Sequence, residues 1–175
     1  FANFSPVGPA AMVALLGVAT IFFVWLVARE WFPSTPLRQA QGRSGQAMSI
    51  AGLVAAGLYA ISPTVITYSR SSWNPNIMPI FSLLTIYSTW QVWEKRKYKW
   101  LVVSGISMAF VLQSHYLGLL LIPTLGFFWF LTLFGIKKSI VKSFFKNSLI
   151  GIVIFGLLMS PLVIFDARHE WRNYE

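Results

Sequence analysis

Apolar residues run through this chain in long blocks, broken by short polar patches. A membrane-spanning helix needs about 20 mostly apolar residues at 1.5 Å each. The block PAAMVALLGVATIFFVWLVA meets this over 9–28, with Pro9 suited to a first helical turn. Further blocks predict helices over about 47–67, 76–93 and 148–165. Between them, 100–136 is too long for one ordinary crossing and short for two.

The distribution of basic residues resolves that stretch. Arg29, Arg38 and Arg43 fall after the first block, Lys95, Arg96, Lys97 and Lys99 after the third, and Lys137, Lys138, Lys142 and Lys146 before the last. Lys and Arg accumulate in short cytoplasmic loops. Placing all three patches inside makes 100–136 cross twice, over about 100–112 and 117–136, with Gln113 to Tyr116 (QSHY) turning on the far side. Eleven bases then lie inside, and only Arg70, Arg168 and Arg172 outside. The expectation is an all-α polytopic membrane helix bundle of about six transmembrane helices, a single domain over 1–175, with its N-terminus outside. Two short middle helices imply a break at membrane depth, which is tolerated where protein or a water-filled cavity satisfies the backbone.

Composition agrees. The chain is 56% hydrophobic and 11% charged, with mean hydropathy +0.64, against about 25% charged residues in soluble domains. The net charge of +9 does not point to nucleic acid, because the bases sit in patches between apolar runs. Cysteine is absent, so the redox compartment is not readable. The chain opens with Phe1 and no basic n-region, so no signal peptide is seen, and it is expected to be an internal piece of a longer protein. Ala51, Gly52, Ala55 and Ala56 give a spacing of small residues that permits close helix approach. Trp25, Trp31, Trp90, Trp93 and Trp100 fall near the expected inner boundary, as interfacial anchors do.

On this topology four polar segments share the outer face: FANFSPVG, YSRSSWNPN (Tyr68–Asn76), QSHY and FDARHEWRNYE. Polar groups gathered at one membrane boundary suggest a site, although no P-loop, HExxH, GxSxG or metal-spaced cluster is present. Arg70 offers a planar fork for phosphate or carboxylate; a snorkelling arginine is the plainer reading. Trp73 is a platform for sugar or lipid, or an anchor. Asn74, held extended before Pro75, can present its amide to sugar hydroxyls or simply start a helix. His115, beside Gln113 and Tyr116, can donate to a phosphate oxygen or be tied to the backbone. Asp166 can act as base, hold a metal, or pair with Arg70 or Arg168.

SPTVITYSRSSWNPNIMPIFSLL, then QSHYLGLLLIP, then SPLVIFDARHEWRN resemble, in that order, the bacterial family 39 glycosyltransferases. These belong to the dolichyl-phosphate-mannose–protein mannosyltransferase superfamily of GT-C fold. The resemblance implies a polyprenyl-phosphate-linked sugar donor and inverting transfer on the non-cytoplasmic face of the bacterial cytoplasmic membrane. It implies leaving-group phosphate contacts at Arg70, His115 and Arg168, and a sugar or acceptor pocket at Trp73, Asn74, Gln113, Tyr116 and Asp166. The family's general base lies in its first outer loop, expected upstream of Phe1, so the chain is expected to be inactive alone. No cofactor is indicated; a divalent metal stays open. Membrane lipid is the other expected partner, and nucleic acid is not one. Two other classes stay open: a transporter or lipid-linked sugar flippase, with broken helices around a cavity, and a structural scaffold.

Overall fold

The computed structural model describes residues 7–32, 50–71 and 73–169, and every regular element among them is a helix. The expected bases Arg38, Arg43 and Arg172 lie outside the described residues, as does all but the end of FANFSPVG. The elements are α1 (Val7–Trp31), α2 (Ile50–Ile61), α3 (Pro63–Tyr68), α4 (Met78–Trp93), α5 (Trp100–Ser114), α6 (Leu121–Phe134) and α7 (Lys138–Arg168). Short 3-10 turns, Asn74–Ile77 and Tyr116–Leu120, precede α4 and α6. Among the described residues three stretches, Val7–Trp31, Tyr116–Phe134 and Lys138–Arg168, are long and apolar enough to cross a membrane. Leu15, Phe22, Leu58, Phe127, Phe134, Leu149 and Ile152 are all largely exposed. Water would not tolerate such a surface; lipid does. The protein is a helical membrane bundle.

Hydroxyl groups survive on these helices because each folds back onto its own backbone. Thr20 donates to the Leu16 carbonyl at 2.6 Å, Ser88 to Leu84 at 2.6 Å and Thr132 to Phe128 at 2.7 Å. With no water to replace it, each such bond spares an unpaired donor in hydrocarbon.

The chain forms two compact units, one up to Ile80 and the other from Phe81. In the first, α1 lies antiparallel to α2 and α3. Gly52 meets α1 so closely that a Cβ there would sit 2.9 Å from the Trp25 carbonyl oxygen. Gly52 and Ala56 are the buried pair of α2, while Ala51 is exposed. The close-packing seam is thus one i, i+4 pair of the four small residues. The second apolar block is two helices. Ser62, held extended before Pro63, interrupts it, and Pro63 starts α3 where its missing N–H does no harm.

In the second unit the helices alternate in direction. Phe81 stacks on Phe110, Thr85 donates to Ser107 Oγ at 2.8 Å, and Tyr87 meets Trp100 edge-on, so α4 and α5 are antiparallel. Trp93 meets Phe128 and Trp129 meets Phe144; α6 therefore runs back against its neighbours. Gly105 abuts Gly151, and Gln113 reaches the Leu158 carbonyl, which makes α5 and α7 parallel. The 100–136 stretch folds back on itself at His115. Arg96 donates to the Thr132 carbonyl at 3.4 Å, joining the α4–α5 turn to the end of α6. Both lysine patches of this unit therefore lie at one end.

Candidate functional site

The segment Tyr68–Asn76 is built as a compact corner. Ser69 and Ser71 donate back to the carbonyls of Ile66 and Tyr68. The Asn76 amide donates to the Ser71 carbonyl at 2.8 Å and to Ser71 Oγ at 2.9 Å. That clasp ties the end of the corner back to its middle. Trp73, extended at the start of the 3-10 turn and 57% exposed, lies 6.2 Å from the Tyr68 ring.

Behind this corner lies a cavity of about 250 Å³, contained within the first unit. Its walls come from Val13, Gly17 and Thr20 of α1, Tyr59, Thr64 and Tyr68 of α2 and α3, and Trp73, Asn76 and Pro79. Gly17 makes the room: a Cβ there would stand 3.3 Å from Ser69 Cβ. Tyr59 of α2 lies beside Thr20 of α1 in this wall. Aromatic rings beside hydroxyl and amide groups suit a small polar ligand with an apolar face. Tyr59, Thr20 and Asn76 were not among the residues singled out by sequence. Asn76, not Asn74, contributes to the cavity wall; Asn74 is exposed at the first position of the 3-10 turn. Arg70 lies in the turn after α3, exposed, between two of the corner's serines.

The remaining expected site residues belong to the second unit. His115 is extended between α5 and the following 3-10 turn, and its Nδ1 accepts the Leu117 N–H at 3.1 Å. Its ring stacks on Tyr116, centroids 4.4 Å apart. An accepting Nδ1 puts the proton of the neutral ring on Nε2, which is then a donor. His115 is half-buried and tied to a backbone N–H rather than to a carbonyl. Tyr116 is 72% exposed.

Gln113 has a structural partner. Pro161 inside α7 has no N–H for the Leu157 carbonyl, and Ser160 Oγ donates to that oxygen at 2.7 Å instead. Gln113 Nε2 donates to the next carbonyl, Leu158, at 3.1 Å. Two side chains therefore support the backbone around the proline. Asp166 is 4% exposed, and Arg168 is exposed in the last turn of α7, where a cation complements the helix dipole. His169 Nδ1 meets the Phe165 carbonyl at 2.8 Å. Among the described residues no three His, Asp or Glu side chains cluster as metal ligands.

The fold defines a helical membrane protein, with a largely apolar cavity that carries a few polar groups beside a clasped corner. Residues 46–165, well over half of the chain, match the family model for dolichyl-phosphate-mannose-protein mannosyltransferase. The chain belongs to that family and is a membrane glycosyltransferase of the GT-C type. No curated protein and no solved structure matches it.

Proposed function

We propose that this protein takes part in transferring a sugar from a polyprenyl-phosphate donor to an acceptor hydroxyl on the non-cytoplasmic face of the bacterial cytoplasmic membrane. The acceptor oxygen attacks the anomeric carbon from the side opposite the phosphate and loses its proton to a base. The bond from the anomeric carbon to the phosphate oxygen breaks, and polyprenyl phosphate leaves with inverted product behind it. A phosphate leaving group needs cations and hydrogen-bond donors more than it needs an acid.

The observation that carries this reading is the cavity behind the Tyr68–Asn76 corner. At about 250 Å³ it falls just below the ~300 Å³ at which ligand pockets usually begin, a fit for one headgroup. Trp73 supplies a ring for the apolar face of a sugar, with Tyr59, Thr20 and Asn76 toward its hydroxyls. Arg70, exposed at the rim segment, is assigned the leaving-group phosphate. In the second unit His115, through Nε2–H, and Arg168 are the groups assigned to phosphate contact. Gln113, Tyr116 and Asn74 are assigned to the acceptor or sugar, and Asp166 to pairing with an arginine rather than to the base. This reading takes six spans with an external N-terminus.

The test uses protein produced from its intact gene, reconstituted in vesicles with a radiolabelled polyprenyl-phosphate hexose. Appearance of free polyprenyl phosphate together with glycosylated acceptor of inverted anomeric configuration supports the proposal. Movement of intact donor across the bilayer without cleavage would replace it with a flippase.

A further inference from the structure

Hydroxyls along the helices of the second unit share one habit. Thr85, Thr89, Ser107, Ser114 and Thr132 each donate to the carbonyl four residues earlier, at 2.6–2.9 Å. Ser104 of α5 departs from it. Among the described residues its hydroxyl has no hydrogen-bond partner. It lines a cavity of about 50 Å³ between α4, α5 and α6 instead. Thr89 of α4 and Thr132 of α6 line the same space, and apolar groups, Val92, Leu125 and Phe128 among them, complete it. Thr132 is fully buried.

The three oxygens differ in what they still offer. A hydroxyl has one proton to give and two lone pairs. Thr89 has given its proton to the Thr85 carbonyl, and Thr132 its own to the Phe128 carbonyl. Both are left as acceptors. Ser104 keeps its proton. The Trp129 indole in the same wall does not compete, because its N–H goes to Ser148 Oγ at 3.0 Å. An apolar occupant would leave the Ser104 proton unpaired among hydrocarbon, which is costly. One donor and two acceptors are the complement of a molecule with two protons and a lone pair.

We infer that this cavity is a binding site for an ordered water, which donates to Thr89 and Thr132, accepts from Ser104, and so joins α4, α5 and α6. Its size suits that ligand, since one water takes about 30 Å³ of liquid volume and a buried one typically makes about three hydrogen bonds. Such a bridge is nearly as good as a direct bond. Entry is short. Thr89 stands four residues before Trp93 and Ser104 four after Trp100, about 6 Å of helix in each case, and tryptophan favours the membrane–water interface. Arg96 already holds the Thr132 carbonyl at 3.4 Å, so the water attaches the same residue through its second oxygen. The site is separate from the Tyr68–Asn76 cavity, and its test needs no transferase activity.

The protein is produced with carbon-13 in its threonine methyls, and magnetisation transfer from water to those methyls is recorded in micelles. Thr89 and Thr132 are expected to show cross-peaks with a long-lived water. Thr85, whose hydroxyl is paired with the Phe81 carbonyl and Ser107 Oγ, is expected to show none. Ser104→Val, which replaces the donor with methyl groups that fill the space, abolishes both cross-peaks. Unfolding midpoints of Ser104→Ala, Thr132→Val and the double variant supply a second readout. Either single change loosens the shared water, so the double variant shifts the midpoint by less than the two single shifts together. Cross-peaks missing at Thr89 or Thr132, or equally strong at Thr85, would overturn the inference. So would cross-peaks that survive Ser104→Val, or midpoint shifts that simply add.

Discussion

Gly105 of α5 and Gly151 of α7 meet backbone to backbone: a methyl group on Gly105 would strike the Gly151 carbonyl, and one on Gly151 would lie 2.6 Å from the Leu101 carbonyl oxygen. In lipid, where apolar side chains gain little by leaving their solvent, such close approach is a main source of helix association. Gly105→Ala or Gly151→Ala forces the helices apart and destabilises by about 1–3 kcal/mol. Gly156, also in α7, has open space around its Cα, and Gly156→Ala is neutral or stabilising by up to about 1 kcal/mol. Thermal unfolding in micelles followed by circular dichroism distinguishes the two classes.

Ser160 and Pro161 act as a pair. Ser160→Ala leaves the Leu157 carbonyl without its side-chain donor and costs about 1 kcal/mol. In a Pro161→Ala background the restored N–H takes that oxygen, and the same serine substitution becomes nearly silent. A double-mutant cycle on unfolding midpoints measures the difference. Equal cost in both backgrounds would separate Ser160 from the proline.

His115 combines a cap with an assigned catalytic contact, and the two come apart by substitution. His115→Asn keeps a good capping side chain but loses Nε2–H. Stability is retained within about 0.5 kcal/mol, while transfer falls roughly 100-fold, the scale of one lost donor to developing charge. His115→Ala lowers both. Unfolding midpoints and turnover measured on the same preparations check this.

The corner predicts a ranking of two asparagines. Asn76→Ala opens the clasp to Ser71 and raises the donor KM by about tenfold, the equivalent of one lost hydrogen bond. Asn74→Ala, at an exposed position outside the cavity wall, raises it less. Donor titrations of the two variants decide, and the reverse ranking would move the sugar contact to Asn74.

Much of this architecture is legible in the residues themselves. Apolar runs mark the helices, and Pro63 and the QSHY stretch mark their breaks. Paired lysine patches imply the fold-back of 100–136, which Arg96 and Thr132 display. What pairs across helices is not legible. Thr20 and Tyr59 sit inside separate apolar runs, and only the α1–α2 crossing makes them neighbours. Gly105 and Gly151 are single glycines in separate stretches, without a spacing motif to mark them. Asn74 and Asn76 flank the same proline; the 3-10 turn decides which belongs to the cavity. The contact of Gln113 with the Leu158 carbonyl near Pro161 has no signature in side-chain types.

The most direct test concerns Trp73 and what the cavity recognises. Binding of a polyprenyl-phosphate hexose and of the same polyprenyl phosphate without sugar is measured by thermal shift on wild-type protein, Trp73→Ala and Trp73→Phe. A stacking platform contributes sugar affinity alone. Trp73→Ala is therefore expected to weaken the sugar-bearing lipid by about tenfold, the scale of a lost aromatic contact of roughly 1.5 kcal/mol, and to leave the bare lipid phosphate unchanged. Trp73→Phe recovers most of that loss. Equal weakening of both lipids, or of neither, would contradict a sugar site behind the Tyr68–Asn76 corner.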